Sequence, residues 1–366
     1  YEGSQDYDLV LRFMERTDAS RVRHIPKVLY HWRTLPTSTA SAGGAKNYAS
    51  LAGLRALQDA VVRRDYHAEV LPSIAAGIYD VHYEVDENEL VSIIIPTRDG
   101  YDNIERCVTS IIEKTSYSNY EIVIADNGST NPHMADLYER FRKLLGSRFR
   151  VEKIDIPFNY SRINNIAATK AAGRYLLFLN DDTEVINPEW MTRMVSFAQL
   201  DRVGVVGAKL YYPIDTIQHS GIVLGLGGVA GHIQAGFPRG YFGYFGRLIE
   251  NVNYYAVTAA CCMIKAADFH AVGGFDETLA VAYNDVDLCM RIHDQLHRDI
   301  VWSHEVELYH YESMTRGYDT KDEKRRKRLK DEADIVMKRY REQGANDPYY
   351  NPSLSRTSGN YWVRQV

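Results

Sequence analysis

Tyr175-Leu176-Leu177-Phe178-Leu179-Asn180-Asp181-Asp182-Thr183 is a run of five apolar residues that stops abruptly at four polar ones. A short apolar run without alternation fits a strand buried on both faces. Burial on both faces needs a layer of helices on each side, so this stretch argues for an α/β architecture. Its polar end then falls at the carboxyl edge of the sheet, where open α/β sheets bind ligands.

Two other runs repeat the pattern. Residues 91–95 lead into Pro96-Thr97-Arg98-Asp99-Gly100, and Ile122-Val123-Ile124-Ala125 leads into Asp126-Asn127-Gly128-Ser129-Thr130. A fourth apolar run spans 203–210, and segments of helical length at about 101–115, 132–145, 161–173 and 188–200 separate the runs. This alternation predicts a mostly parallel central sheet flanked by helices, with three polar strand ends converging on one crevice.

Further out the pattern changes. Gly221-Ile222-Val223-Leu224-Gly225-Leu226-Gly227-Gly228 carries too many glycines for a regular element and reads either as a hairpin or as backbone approaching a ligand. Leu51, Leu54, Leu57, Ala60 and Val61 follow helical spacing, so residues 46–89 read as a helical connector. The segment 319–366 reads as a basic helical tail around Lys324-Arg325-Arg326-Lys327-Arg328, either a solvated helix face or a peripheral contact with anionic lipid headgroups.

The beginning of the chain echoes a later part without gaps. Gln5-Asp6-Tyr7-Asp8-Leu9-Val10-Leu11-Arg12 matches Asn284-Asp285-Val286-Asp287-Leu288-Cys289-Met290-Arg291, and Leu29-Tyr30-His31 matches Leu308-Tyr309-His310 in the same register. Residues 1–45 therefore read as the end of an upstream copy of the domain, catalytically silent by itself.

Bulk properties narrow the function classes. The 366 residues are 45 % hydrophobic and 25 % charged, typical of globular proteins, and the net charge of −5 argues against nucleic acid as a partner. Cys107, Cys261, Cys262 and Cys289 lack the spacing of a disulfide framework or zinc site.

Together the strand ends, the Gly273-Gly274-Phe275-Asp276-Glu277 turn, Asn284-Asp285 and Tyr309-His310 resemble the family 2 inverting glycosyltransferases, in particular the rhamnosyltransferase-like branch of bacterial polysaccharide biosynthesis. The resemblance covers residues 90–318 and implies the GT-A fold, a Rossmann-like nucleotide-binding α/β domain. It implies that Pro96, Thr97 and Asp99 line the base and ribose pocket, that Asp126 or Asn127 reads the pyrimidine, and that Arg162 and Asn165 contact the nucleotide or its phosphates. Asn180-Asp181-Asp182 stands where relatives carry a DxD motif, leaving Asp181 to touch ribose or sugar and Asp182 to bind Mn²⁺ or Mg²⁺, with His310 as a further ligand. One carboxylate suffices when substrate phosphates supply the other oxygens. Arg316 is a further candidate for the diphosphate.

Asp285 stands at the second position of an ED-like motif and is the expected general base. A metal-neutralised diphosphate leaves without a general acid, so one carboxylate is enough for inversion. The implied donor is dTDP-rhamnose or a UDP-sugar. The implied acceptor is a growing glycan or lipid-linked glycan, handled in the cytoplasm at the inner face of the bacterial membrane. Two rivals remain: a silent GT-A domain that binds nucleotide or glycan inside a larger synthase, favoured by Asn180 and Asn284, and a nucleotide-sugar pyrophosphorylase, disfavoured by the single glycine after the first strand.

Overall fold

The computed structural model describes residues 1–31, 47–311 and 323–364. Helices α1 (Gln5–Met14) and α2 (Asn47–Arg63) pack together and lead into a hairpin of β1 (Ala68–Pro72) and β2 (Tyr79–Tyr83). The connector is thus helical only in its first half. Around Val70 and Val81 the chain pairs in antiparallel register, as runs rich in valine and tyrosine favour.

The main domain opens with β3 (Val91–Thr97), α3 (Tyr101–Lys114), β4 (Tyr120–Asp126), α4 (His133–Leu145), β5 (Phe149–Lys153), α5 (Tyr160–Ala168) and β6 (Tyr175–Leu179). These strands are parallel in the order β5-β4-β3-β6. Their apolar runs are buried on both faces: Ile94, Val123 and Phe178 enter one core layer, and Ile93, Ile95, Ile122, Ile124 and Leu177 the other. Burying each such side chain contributes about 1.5–3 kcal/mol, which is why unbroken apolar runs specify this half of the sheet.

Beyond β6 the sheet is mixed. The chain continues through β7 (Thr183–Val185), α6 (Trp190–Ala198), β8 (Val203–Tyr212), β9 (Thr216–His219), β10 (Ile222–Leu224), β11 (Ala230–His232), β12 (Val252–Tyr254), β13 (Cys261–Lys265), α7 (Ala266–Ala271), α8 (Asn284–Leu296) and β14 (Asp299–His310). Strand β13 lies antiparallel between β6 and β8, and β14 runs parallel to β8. The mostly parallel expectation therefore holds on one side only, because β13 pairs antiparallel with both its neighbours and its apolar run cannot reveal direction. The glycine-rich stretch is a hairpin, β10 against β11, with Gly225, Gly227 and Gly228 turning at positive φ.

The segment after 318 is not a detached tail. Helices α9 (Glu323–Arg339) and α10 (Arg341–Ala345) and the chain beyond them return to the domain, and Val336, Tyr340, Tyr350, Leu354 and Tyr361 join its core. Glu332 is buried and accepts the amides of Ala280 and Ala282, while Asp347 accepts those of Leu224 and Tyr349. The high charge of α9 conceals a narrow buried stripe. Arg316 lies outside the described residues.

The internal echo extends to local structure. Both α1 and α8 begin at the first echoed residue, and each carries the same pair one turn apart: Arg12 Nε to Asp8 Oδ2 at 2.9 Å and Arg291 Nε to Asp287 Oδ2 at 2.7 Å. Leu9, Val10 and Phe13 of α1 are more than half exposed, whereas their counterparts Leu288, Cys289 and Ile292 are buried. All four cysteines are free and buried. Among the described residues, no helix is long and apolar enough to cross a membrane.

Candidate active site

A cleft of about 370 Å³ opens at the carboxyl ends of β3, β4 and β6, with Pro96, Thr97, Asn127 and Asp181 in its wall. Thr97 Oγ1 donates to Asp181 Oδ2 at 2.6 Å, tying the end of β3 to the end of β6. Gly100 faces the same carboxylate, and a Cβ there would come within 2.7 Å of Asp181 Oδ2. A larger hollow of about 700 Å³ lies among Tyr7, Gly53, Tyr79 and Phe197, but none of the polar strand ends reaches it.

The two residues at the end of β4 do different things. Asp126 is buried and accepts from the Ser129 amide at 2.8 Å and the Tyr138 hydroxyl at 3.2 Å, so it shapes the turn. Asn127 donates through Nδ2 to the carbonyls of Ile154 and Ile156, both at 2.8 Å, and lines the cleft. Its Oδ1 is buried and has no partner among the described residues. A buried acceptor left unpaired is costly unless a ligand donates to it.

Asp99, expected in the nucleotide pocket, instead clamps the turn after β4. Its backbone is left-handed at φ 55°, and its carboxylate accepts the amides of Thr130 and Asn131 at 2.6 and 2.7 Å. Those amides, Asn131 first, hold the carboxyl below its usual range. Arg162 is half exposed and points to Glu277 at 3.8 Å. Asn165 uses both ends of its carboxamide on the backbone of Phe275, at 2.8 and 2.9 Å. Neither residue belongs to the cleft wall, because the turn through Gly274 folds over α5 and occupies them.

Asp182 and His310 meet. Register between β7 and β14 pairs Thr183 with His310, which brings the imidazole beside Asp182. His310 Nε2 lies 3.1 Å from Asp182 Oδ1 and 3.2 Å from Asn180 Nδ2. On the other side of the ring, Nδ1 lies 2.6 Å from Oε1 of buried Gln218, whose Nε2 faces the His310 carbonyl at 3.4 Å. That network orients the Gln218 amide so that Nδ1–H donates to it and Nε2 keeps its lone pair. The Nε2 lone pair so placed faces the Asn180 amide, which can donate to it, and lies beside the Asp182 carboxylate. Imidazole nitrogen, carboxylate oxygen and an outer hydrogen bond on the second nitrogen form a fitting donor set for a divalent ion.

Asp285 sits in the first turn of α8, where free amides and the helix dipole favour a carboxylate. Its Oδ2 accepts from Ala259 N at 3.2 Å, and the next residue, Ala260, accepts the amide of Asn180 at 2.9 Å. Backbone 259–260 thus links Asp285 to the strand end carrying Asp181 and Asp182. Asp287 differs: it is fully buried and satisfied by Arg291, Arg339 and Tyr340. Nearby, His219 Nε2 accepts from Thr258 N at 3.3 Å and its Nδ1 lies 2.9 Å from His232 Nδ1. Burial, followed by the His232 and His310 rings, pushes the His219 pKa well down.

The cleft also contains residues the sequence reading did not select. Arg325 and Arg328 of α9 form part of its wall, as do Phe158 and Val281. From sequence the basic run reads as a solvated helix face or a lipid contact, and its place at the cleft depends on how α9 docks through Glu332. Gln218 carried no sequence signal, since one glutamine in a short strand is unremarkable.

Comparisons with known proteins agree with this geometry. Residues 92–270 match the model for Glycosyl transferase family 2. The chain is 44 % identical over 361 residues to the uncharacterized protein y4gI of Sinorhizobium fredii (strain NBRC 101917 / NGR234), a match covering 97 % of this chain and 39 % of that protein. It is 38 % identical over 370 residues to the O-antigen biosynthesis protein RfbC of Myxococcus xanthus, covering 100 % of this chain and 28 % of that one. The chain therefore spans well under half of either relative. Among solved structures, GalNAc-T7 with UDP, GalNAc and Mn²⁺ superposes with a TM-score of 0.56 at 17 % identity, over 76 % of this chain and 53 % of that one. The mannosyltransferase PcManGT from Pyrobaculum calidifontis, in complex with GDP-Man and Mn²⁺, gives 0.53 at 15 % identity, over 84 % and 77 %. A polar crevice at the ends of β3, β4 and β6 and the family match over the same strands lead to one conclusion: residues 92–270 are a glycosyl transferase family 2 domain, on the GT-A fold.

Proposed function

We propose that this chain is an inverting glycosyltransferase that moves a sugar from a nucleoside-diphosphate donor, dTDP-rhamnose or a UDP-sugar, to a hydroxyl of a growing polysaccharide. The observation that carries the reading is the meeting of Asp182 and His310, oriented by Gln218, beside a cleft whose wall includes Thr97, Asn127 and Asp181. The pyrimidine fits the stretch of wall at Asn127, while Thr97 and Asp181 border the space for ribose and sugar. Arg325 and Arg328 supply positive charge to the same wall, suited to a diphosphate. The GalNAc-T7 and PcManGT structures contain nucleotide or nucleotide sugar and Mn²⁺, which is consistent with this assignment.

Asp182 and His310 would hold Mn²⁺ or Mg²⁺, which when bound neutralises charge on the departing diphosphate. Asp285 accepts the proton of the acceptor hydroxyl as its oxygen bonds to the anomeric carbon and the carbon–phosphate-oxygen bond breaks on the opposite face. The Ala259 amide and the first turn of α8 hold that carboxylate in place.

The docked position of α9 supports a role for its arginines at the donor rather than at a membrane surface. Residues 1–45 fit the end of an upstream copy of the domain, since the apolar face of α1 is exposed where that of α8 is buried. Activity is tested by a thermal-shift panel of dTDP, UDP and GDP, each with and without Mn²⁺, on the parent chain and Asp182→Ala. Stabilisation by one nucleotide that needs Mn²⁺ and vanishes in the variant supports the reading; silence of the parent chain toward every nucleotide rejects it. A ligand at about 100 times its Kd stabilises by roughly 2.7 kcal/mol, well within detection.

A further inference from the structure

We infer a second metal site, separate from the donor cleft, that pins the β1–β2 hairpin to the glycosyltransferase sheet. Asp80 and His82 occupy alternate positions of β2 and so share one face of the hairpin. Opposite them, β14 slips out of register with β8 between Trp302 and Glu307. Consecutive residues of a regular strand point to opposite faces, but such an irregularity re-aims side chains, and here both His304 and Glu305 turn toward β2.

The groups converge closely. His304 Nε2 lies 2.9 Å from Asp80 Oδ1, and His82 Nε2 lies 2.7 Å from Glu305 Oε1. One ligand atom from each of Asp80, His304 and Glu305 lies within 4.8 Å of the other two. All four side chains are between 13 and 17 % exposed. Glu305 Oε2 is buried with no partner among the described residues, so the cluster retains an unused ligand oxygen.

Charge favours a cation. Asp80, Glu305 and the neighbouring Glu250 are three carboxylates, faced by two guanidiniums: Arg193, whose Nε lies 3.6 Å from Glu305 Oε1, and Arg247, which acts on Glu250. Neutral imidazoles therefore leave one negative charge to balance. One imidazole and two carboxylates are an N/O set of the kind Zn²⁺ binds, with His82 as an outer hydrogen-bond partner that orients Glu305. Such a bond would join residues 224 positions apart, constraining the unfolded chain strongly while holding the hairpin on the sheet.

The competing explanation is two ordinary ion pairs, each with a protonated imidazole. Zn²⁺ titration of the full chain distinguishes them, followed by calorimetry and thermal unfolding without nucleotide and in an Asp182→Asn background that silences the donor-site ligands. The expected result is one equivalent bound with a rise in Tm, and at least tenfold weaker binding in both Asp80→Asn and Glu305→Gln. Co²⁺ substitution gives an independent absorption readout, expected to be lost in His304→Gln. The inference is overturned if Zn²⁺ neither binds nor raises Tm, or if Asp80→Asn and Glu305→Gln, both near-isosteric, bind it as tightly as the parent.

Discussion

His310 Nε2 lies 3.1 Å from Asp182 Oδ1 because β7 and β14 pair Thr183 with His310, two residues far apart in the chain. The contact makes the imidazole a ligand only if its other nitrogen is committed elsewhere, and Gln218 commits it.

Gln218→Leu should therefore weaken Mn²⁺-dependent nucleotide binding by about 10- to 100-fold, the usual cost of losing an outer-shell partner, while leaving metal-independent binding unchanged. Calorimetry with nucleotide at several Mn²⁺ concentrations measures this. Equal metal dependence in variant and parent would refute the orienting role.

Asp285→Asn should lower the rate of transfer by roughly 10²- to 10⁴-fold, the range for a positioned general base, without loss of donor binding. The carboxamide retains an oxygen for the Ala259 amide, so α8 should stay in place. Radiolabelled sugar transfer and nucleotide titration on the same preparation separate chemistry from binding.

Replacing Arg325 and Arg328 together by alanine should weaken nucleoside-diphosphate binding about tenfold or more and reduce its salt dependence, with little change in binding of the nucleoside alone. Vesicle sedimentation with anionic lipid tests the surface-binding alternative. A variant that loses vesicle binding but keeps its nucleotide affinity would return α9 to the membrane reading.

Burial raises the Asp347 carboxyl from 3.8 to about 6, only partly offset by the amides of Leu224 and Tyr349. The folded chain then holds a proton that the unfolded chain releases between these values, so stability from this group is greatest below pH 4 and falls as pH rises through 6. The advantage of the parent over Asp347→Ala in urea unfolding should shrink by roughly 2 kcal/mol between pH 4 and pH 7. A constant difference across that range would remove Asp347 as the titrating clasp of the C-terminal segment.

Legibility was greatest where local pattern is sufficient. The apolar runs at 91–95 and 175–179 fall within β3 and β6, and their polar ends mark the cleft that Thr97, Asn127 and Asp181 line. Asp99 was indistinguishable from a ligand-facing residue because its role depends on meeting the Thr130 and Asn131 amides. Asn165 was obscured in the same way by its contact with Phe275, 110 positions away.

By itself the sequence determined the alternation of buried strands and amphipathic helices, the carboxyl edge at which polar residues collect, and the repeated acidic helix start at Gln5 and Asn284. These features follow from hydrophobic periodicity and helix-end chemistry, which act over a few residues. Only the tertiary structure decided that β13 enters the sheet antiparallel, that Gln218 holds His310, that α9 brings Arg325 and Arg328 to the cleft, and that His304 and Glu305 face Asp80. Each depends on register and docking between segments far apart in the chain, which one strand's side-chain pattern leaves open.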